Sequence, residues 1–153
     1  MLQVGDKVLP FSRVNQDGDL VDFGTLLGKQ ALVIYFYPKN FTPGCTKEAC
    51  SFRDNYQEFE DLGATVFGVS GDSSTSHARF VKRYRLPFDV ISDKGGELSK
   101  MFGVKSLLLG LLPGRETFVI DKKGIVCLRY HSINATRHIP KALSVLKKTN
   151  KDI

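Results

Sequence analysis

Ala31-Leu32-Val33-Ile34-Tyr35-Phe36-Tyr37-Pro38-Lys39-Asn40-Phe41-Thr42-Pro43-Gly44-Cys45-Thr46-Lys47-Glu48-Ala49-Cys50 is the stretch from which the fold can be read. Residues 31–37 are continuously apolar and rich in branched and aromatic side chains, so they read as a buried central strand. Beyond the turn, Ala49, Phe52, Tyr56 and Phe59 recur at helical spacing and predict a helix from Thr46 to Leu62, ended by Gly63. Between the two, Thr42-Pro43-Gly44 delivers Cys45 to the point where a strand hands over to a helix N-terminus. That position favours a thiolate, the nucleophilic form of cysteine. Cys50 follows on the same helix.

The flanking sequence extends the pattern. Phe11-Ser12-Arg13-Val14 and Leu20-Val21-Asp22-Phe23 enclose Asn15-Gln16-Asp17-Gly18-Asp19, a hairpin signal with Asp-Gly in its turn. Ala64–Ser70 reads as a second buried strand, Ser73–Tyr84 as a helix capped by Asp72 or Ser73, Phe88–Ser92 as a short strand and Gly96–Phe102 as a short helix. Leu107–Pro113 reads as a loop. Thr117–Ile120 and Ile125–Tyr130 form a second hairpin, and Ala135–Lys148 a last helix with Pro140 in its first turn. Strand–helix alternation in the middle implies parallel pairing, and the late hairpin adds antiparallel strands. The expected fold is α/β and thioredoxin-like: a mixed central sheet with helices on both faces and an N-terminal β-hairpin extension. No repeat or linker divides residues 1–153, so one domain is expected, with the reactive thiol at the carboxyl end of a central strand.

Composition narrows the function classes. The chain has 153 residues, 42% of them hydrophobic and 25% charged, as in soluble globular proteins. No stretch reaches the roughly 18 apolar residues of a membrane span, and the first residues lack the apolar region of a signal peptide. The net charge is +6, but Lys82, Arg83, Arg85, Lys122, Lys123, Lys147, Lys148 and Lys151 are scattered over several elements, which argues against a nucleic-acid surface. Three cysteines do not make a disulfide-stapled secreted domain; a pair plus one left over points to redox use. Cys127 reads as structural. His77, His131 and His138 read as surface residues, none close to Cys45 in sequence.

Lowering a thiol from a pKa of about 8.5 to about 6 takes roughly 3.4 kcal/mol. A helix N-terminus supplies at most about 2 kcal/mol, so a hydrogen-bond donor and a cation are also needed. Thr42 can turn its hydroxyl back onto the sulfur. Arg115 follows the turn Pro113-Gly114, opens a strand and should lie at a sheet edge, where its fixed charge can serve the thiol. Glu48 either holds Arg115 or serves the helix dipole. Residues five apart on a helix are separated by a rise of about 7.5 Å and a turn of about 140°. A disulfide needs Cα atoms within roughly 6.8 Å, so a Cys45–Cys50 bond would require the helix to unwind.

Pro38-x-x-x-Thr42-x-x-Cys45 resembles the active-site pattern of the peroxiredoxins, and Gly114-Arg115-x-Thr117-Phe118 resembles the segment that holds their arginine. The Cys45–Cys50 spacing, Val69-Ser70-Gly71-Asp72-Ser73, Tyr84-Arg85-Leu86-Pro87-Phe88 and Leu111-Leu112-Pro113-Gly114-Arg115 resemble the bacterioferritin-comigratory-protein branch, also called peroxiredoxin Q, whose members are atypical 2-Cys enzymes. The likeness runs from Gly5-Asp6 to the last helix. It implies a thiol peroxidase acting on hydrogen peroxide and organic hydroperoxides. Cys45 would be the attacking thiol and Cys50 the resolving one, joined in an intrachain disulfide recycled by thioredoxin or a similar dithiol. Thr42 and Arg115 would bind the peroxide oxygens, Pro38 would shield the thiol, and the N–H groups of Gly44 and Cys45 would complete the pocket. The resemblance further implies a monomer that needs no metal or flavin, in the cytoplasm of a bacterium or the plastid stroma of a plant or alga. The apolar run Leu107–Leu112 would favour bulkier peroxides if it lines the pocket. Two other classes remain open. A general thioredoxin-type disulfide oxidoreductase usually shows Cys-x-x-Cys and would leave Thr42 and Arg115 without a task. A metal-binding scaffold would need more ligands than one cysteine pair.

Overall fold

A computed structural model describes residues 1–107 and 112–151. The elements run β1 (Ser12–Val14), β2 (Leu20–Asp22), β3 (Ala31–Phe36), α1 (Pro43–Asp54), α2 (Tyr56–Asp61), β4 (Ala64–Ser70), α3 (Ser74–Tyr84), β5 (Asp89–Ser92), α4 (Glu97–Phe102), β6 (Ser106–Leu107), β7 (Leu112–Pro113), β8 (Glu116–Ile120), β9 (Val126–His131) and α5 (His138–Lys151). The central sheet has five strands in the order β5-β4-β3-β8-β9. β3, β4 and β5 are parallel, while β8 runs antiparallel to β3, and β9 to β8. β1 and β2 form the expected N-terminal hairpin. This is the mixed, thioredoxin-like α/β sheet that the sequence predicts, with β3 at its centre.

Every residue of β3 is buried, and its side chains alternate between two cores. Val33, Tyr35 and Tyr37 face a layer built from Ala49 and Phe52 of α1, Phe59 of α2, Phe80 of α3 and Ile139, Ala142 and Leu146 of α5. Leu32, Ile34 and Phe36 face Phe23, Leu98 and Phe102 on the other side. The strand reads as continuously apolar because both of its faces are covered. Gly68 of β4 lies opposite Tyr35, and a Cβ there would stand 2.8 Å from the phenol oxygen. The missing side chain makes room for that phenol.

Three expectations are corrected. The helix predicted over Thr46–Leu62 starts earlier and is split into α1 and α2. Pro43 fits the first turn, where its missing N–H has no intrahelical partner to lose. The Asn55 side-chain amide donates to the Ser51 carbonyl at 2.8 Å, sharing that acceptor with its own backbone N–H at 3.2 Å, and the helix ends at this residue before α2 begins. Arg115 leads into β8, which is an interior strand and not a sheet edge. His77 and His138 are fully buried and not on the surface. Of the loop expected over Leu107–Pro113, the flanking pairs β6 and β7 are hydrogen-bonded, and residues 108–111 lie outside the described residues, as does the expectation that Leu107–Leu112 lines the pocket.

Candidate active site

The carboxyl end of β3 leads into a short loop that is anchored through its buried residue Asn40. The N–H of Asn40 donates to Asp72 Oδ2 at 2.9 Å, and its Oδ1 accepts from the Tyr37 hydroxyl at 2.5 Å. Its Nδ2 donates to Ser76 Oγ at 3.1 Å and to His77 Nδ1 at 2.9 Å. The other ring nitrogen, His77 Nε2, lies 3.1 Å from the Ile91 carbonyl and can only donate to it. His77 is therefore neutral with its proton on Nε2, and burial lowers its pKa. Phe41 follows at φ 65°, a left-handed conformation costly for an aromatic residue, and its ring packs on Phe80 and Tyr84. Strain of this kind persists only where the surroundings over-determine it.

Thr42 is the N-cap residue of α1, in extended conformation. Its hydroxyl donates to the Lys39 carbonyl at 2.8 Å and not to the sulfur. Cys45 lies in the first turn and is 1% exposed. In a helix that starts at Pro43, the N–H groups of Gly44 and Cys45 have no intrahelical acceptor and are free for a ligand. Gly44 matters for access: a Cβ there would approach Arg115 Nη2 to 3.1 Å. Pro38 is half-buried at the start of the loop.

Arg115 joins two acids. Its Nη2 lies 3.4 Å from Cys45 Sγ, and its Nη1 donates to Glu48 Oε1 at 2.6 Å. Cys45 and Glu48 are three apart on α1 and so share a face. The structure thus places Cys45, Glu48 and Arg115 together, with Gly44 against the guanidinium, while Pro38 and Thr42 lie in the loop that leads into them. Glu48 is completely buried, and its Oε2 has no hydrogen-bond partner. Burial pushes its carboxyl up to about 8, against the opposing pull of Arg115. His138 Nδ1 stands 3.8 Å from that oxygen, but it accepts the Thr117 hydroxyl at 2.8 Å, while Nε2 donates to the Ser132 carbonyl at 2.9 Å. The imidazole is neutral, its pKa lowered to about 4, mainly by burial. The Tyr35 hydroxyl is likewise buried without a partner, and burial raises its pKa well above the ordinary value.

Cys50 is half-buried on the same unbroken α1, and both thiols are free. At the far end of α1, Arg53 Nη1 donates to the Tyr84 carbonyl at 2.7 Å. Cys127 lies away in β9, its Sγ 3.4 Å from the Val119 carbonyl. Among the described residues no group of three or more His, Cys, Asp and Glu could hold a metal ion, and no helix is long and apolar enough to cross a membrane. Reading the sequence missed Asn40, His77, Thr117, His138 and Tyr35. Asn40 and Thr117 carried a signal, as polar residues inside the two motif segments; the others are brought in by α3, α5 and the sheet.

The chain matches the AhpC/TSA family over residues 4–129. It is similar to the chloroplastic peroxiredoxin Q of Sedum lineare, 49% identical over 90% of this chain and 74% of that protein. It spans 64% of the length of the peroxiredoxin Q of Populus jackii. Among solved structures it is similar to the peroxidoxin BcpB of Mycobacterium tuberculosis, with 38% identity, a TM-score of 0.89 and coverage of 97% and 98% of the two chains. The Xanthomonas campestris bacterioferritin comigratory protein, described for its alkyl peroxide reduction activity, superposes with 31% identity and a TM-score of 0.83 over 94% and 98% of the two chains.

Proposed function

We infer the residue roles from one premise: the chain belongs to the AhpC/TSA family, in its peroxiredoxin Q branch, and so is a thiol-dependent peroxidase. Cys45 attacks the terminal oxygen of hydrogen peroxide or an organic hydroperoxide. The O–O bond breaks, the sulfur becomes a sulfenic acid, and the other oxygen leaves with the electron pair of the broken bond. Arg115 supplies the charge and donors that stabilise both the thiolate and the leaving oxygen. The free N–H groups of Gly44 and Cys45 and the Thr42 hydroxyl complete the peroxide pocket once peroxide enters, and Pro38 screens it. The observation that carries this reading is the 3.4 Å contact between the half-buried Arg115 guanidinium and the buried Cys45 sulfur at the carboxyl end of the central strand.

Cys50 resolves the sulfenic acid to a disulfide and releases water. Both thiols lie on one continuous helix, so this step requires α1 to unwind between them. Thioredoxin or a similar dithiol then restores the thiols, without metal or flavin. The protein acts as a monomer and a single domain over residues 1–153, in a bacterial cytoplasm or a plastid stroma; the chloroplastic relatives support the second setting. The test is peroxide consumption with thioredoxin, thioredoxin reductase and NADPH. Cys45→Ser should abolish it. Cys50→Ser should keep one stoichiometric oxidation and lose turnover. Full activity in Cys45→Ser would sink the assignment.

A further inference from the structure

The buried site has one permanent cation and two acids. Arg115 touches both Cys45 and Glu48, and both acids are withdrawn from water. The other titratable groups facing Glu48 add no positive charge. Tyr35 and Tyr37 on β3 are neutral phenols, His138 on α5 is a neutral imidazole held by Thr117 of β8, and Cys50 is a half-buried thiol on α1 itself. Two buried anions against one guanidinium would leave a charge uncompensated, which proteins avoid by binding a proton. The second oxygen of Glu48 has no hydrogen-bond partner and so offers a place for that proton.

We propose that Cys45 and Glu48 share one negative charge: while Arg115 holds the thiolate, the Glu48 carboxyl keeps a proton, and it surrenders that proton when Cys45 is oxidised. The raised pKa of Glu48 agrees with this. The proposal rests on Cys45 being the thiol that attacks peroxide. Over the oxidative half-cycle, the Cys45 thiolate, the Cys50 thiol, the Glu48 carboxylic acid and hydrogen peroxide become a disulfide, a Glu48 carboxylate and water. The O–O bond breaks and the S–S bond forms; both sulfurs are oxidised and both peroxide oxygens reduced. The two waters take two protons from peroxide, one from Cys50 and one from Glu48. Glu48 lies inside the stretch that must unwind, so its carboxyl reaches water and ionises there as an ordinary carboxylate. When a dithiol restores the two thiols and α1 rewinds, the Cys45 thiol returns its proton to Glu48.

The experiment is a single turnover of the reduced full chain with hydrogen peroxide in weak buffer at pH 7, read with a pH indicator. Thiolate absorbance in the ultraviolet is recorded beforehand against Cys45→Ser. The reduced wild type should show the thiolate and take up almost no proton per disulfide, whereas Glu48→Gln should show it and take up about one. A wild-type thiolate accompanied by uptake of about one proton would overturn the proposal, because Glu48 was then already ionised. Absence of a wild-type thiolate would overturn it as well, because the carboxylate then holds the charge. Should Glu48→Gln misfold, infrared difference spectra of the wild type decide: the carbonyl stretch of a protonated carboxyl must disappear on oxidation, and an unchanged region counts against the proposal. A chain that keeps both thiols after peroxide refutes the peroxidase roles themselves; one that forms the disulfide but takes up a proton refutes only the shared charge.

Discussion

Two regions meet at the first turn of α1, and they are built on opposite principles. In the loop before it, every polar atom of the Asn40 side chain has a partner, and the loop is tied to Tyr37, Asp72, Ser76 and His77. On the inner face of the helix, the Glu48 Oε2 and Tyr35 hydroxyl are the buried side-chain atoms without partners among the described residues. A satisfied network fixes geometry; an unsatisfied one keeps binding capacity in reserve. The difference teaches that the loop is the frame and the helix face is the reactive part.

The harshest way to break the reactive side is Cys45→Ser, for which peroxide consumption should fall to the uncatalysed background. Arg115→Ala should follow, lowering the second-order rate with peroxide by about 10²–10³ in stopped-flow assays, the usual effect of losing one strong donor to a developing anion. Arg115→Lys should recover little of this, because a point charge cannot bridge the sulfur and the carboxylate at once. Asn40→Ala attacks the frame instead. It strands the Tyr37 hydroxyl and His77 Nδ1 without partners, and urea unfolding should show a loss of about 2–4 kcal/mol.

Acid and base should separate the two regions further. Glu48 has a folded-state pKa of about 8, above its ordinary value of 4.5, so its contribution is fully present below the unfolded pKa and is lost as pH rises. The two histidines act in the other direction: their folded values are lowered from 6.5, so their contribution is present above that value and is lost as pH falls, for His138 toward about 4. Between about pH 6.5 and 8, of these three groups only Glu48 titrates. The reduced wild type should then lose about 1–2 kcal/mol of stability across that window relative to Glu48→Gln, measured by urea unfolding at each pH. The smallest effect belongs to Cys127→Ser, remote from both regions: activity unchanged, stability altered by less than about 1 kcal/mol.

The sheet was legible in the sequence because β3 and β4 are almost wholly apolar, as strands buried on both faces are, and because a turn signal joins the shorter apolar runs of β8 and β9 into a hairpin. The site was legible as far as its residues share one segment: Thr42, Gly44, Cys45 and Glu48 fall within a single loop and helix turn. Arg115 was found by its strand-opening position, but its interior placement depends on β8 inserting between β3 and β9, which local pattern does not encode. His138 looked like a surface residue because nothing near it in sequence is a partner. The Thr117 hydroxyl that holds it comes from β8. Asn55 was overlooked as a helix breaker because apolar spacing continues across it.

Tyr84, at the end of α3, touches α1 at both limits: the Phe41 ring lies 6.3 Å from its ring just before the helix, and Arg53 grips its carbonyl near the helix end. α1 is therefore a tether with two fixed posts. Residues in a helix advance about 1.5 Å each, so Cys45 and Cys50 stand roughly 7.5 Å apart along α1, and the disulfide proposed above would draw their Cα atoms to within roughly 6.8 Å. With both posts holding, the four residues between the two cysteines would leave the helix as a local bulge, opening the proposed disulfide to a reductant without freeing the rest of the fold.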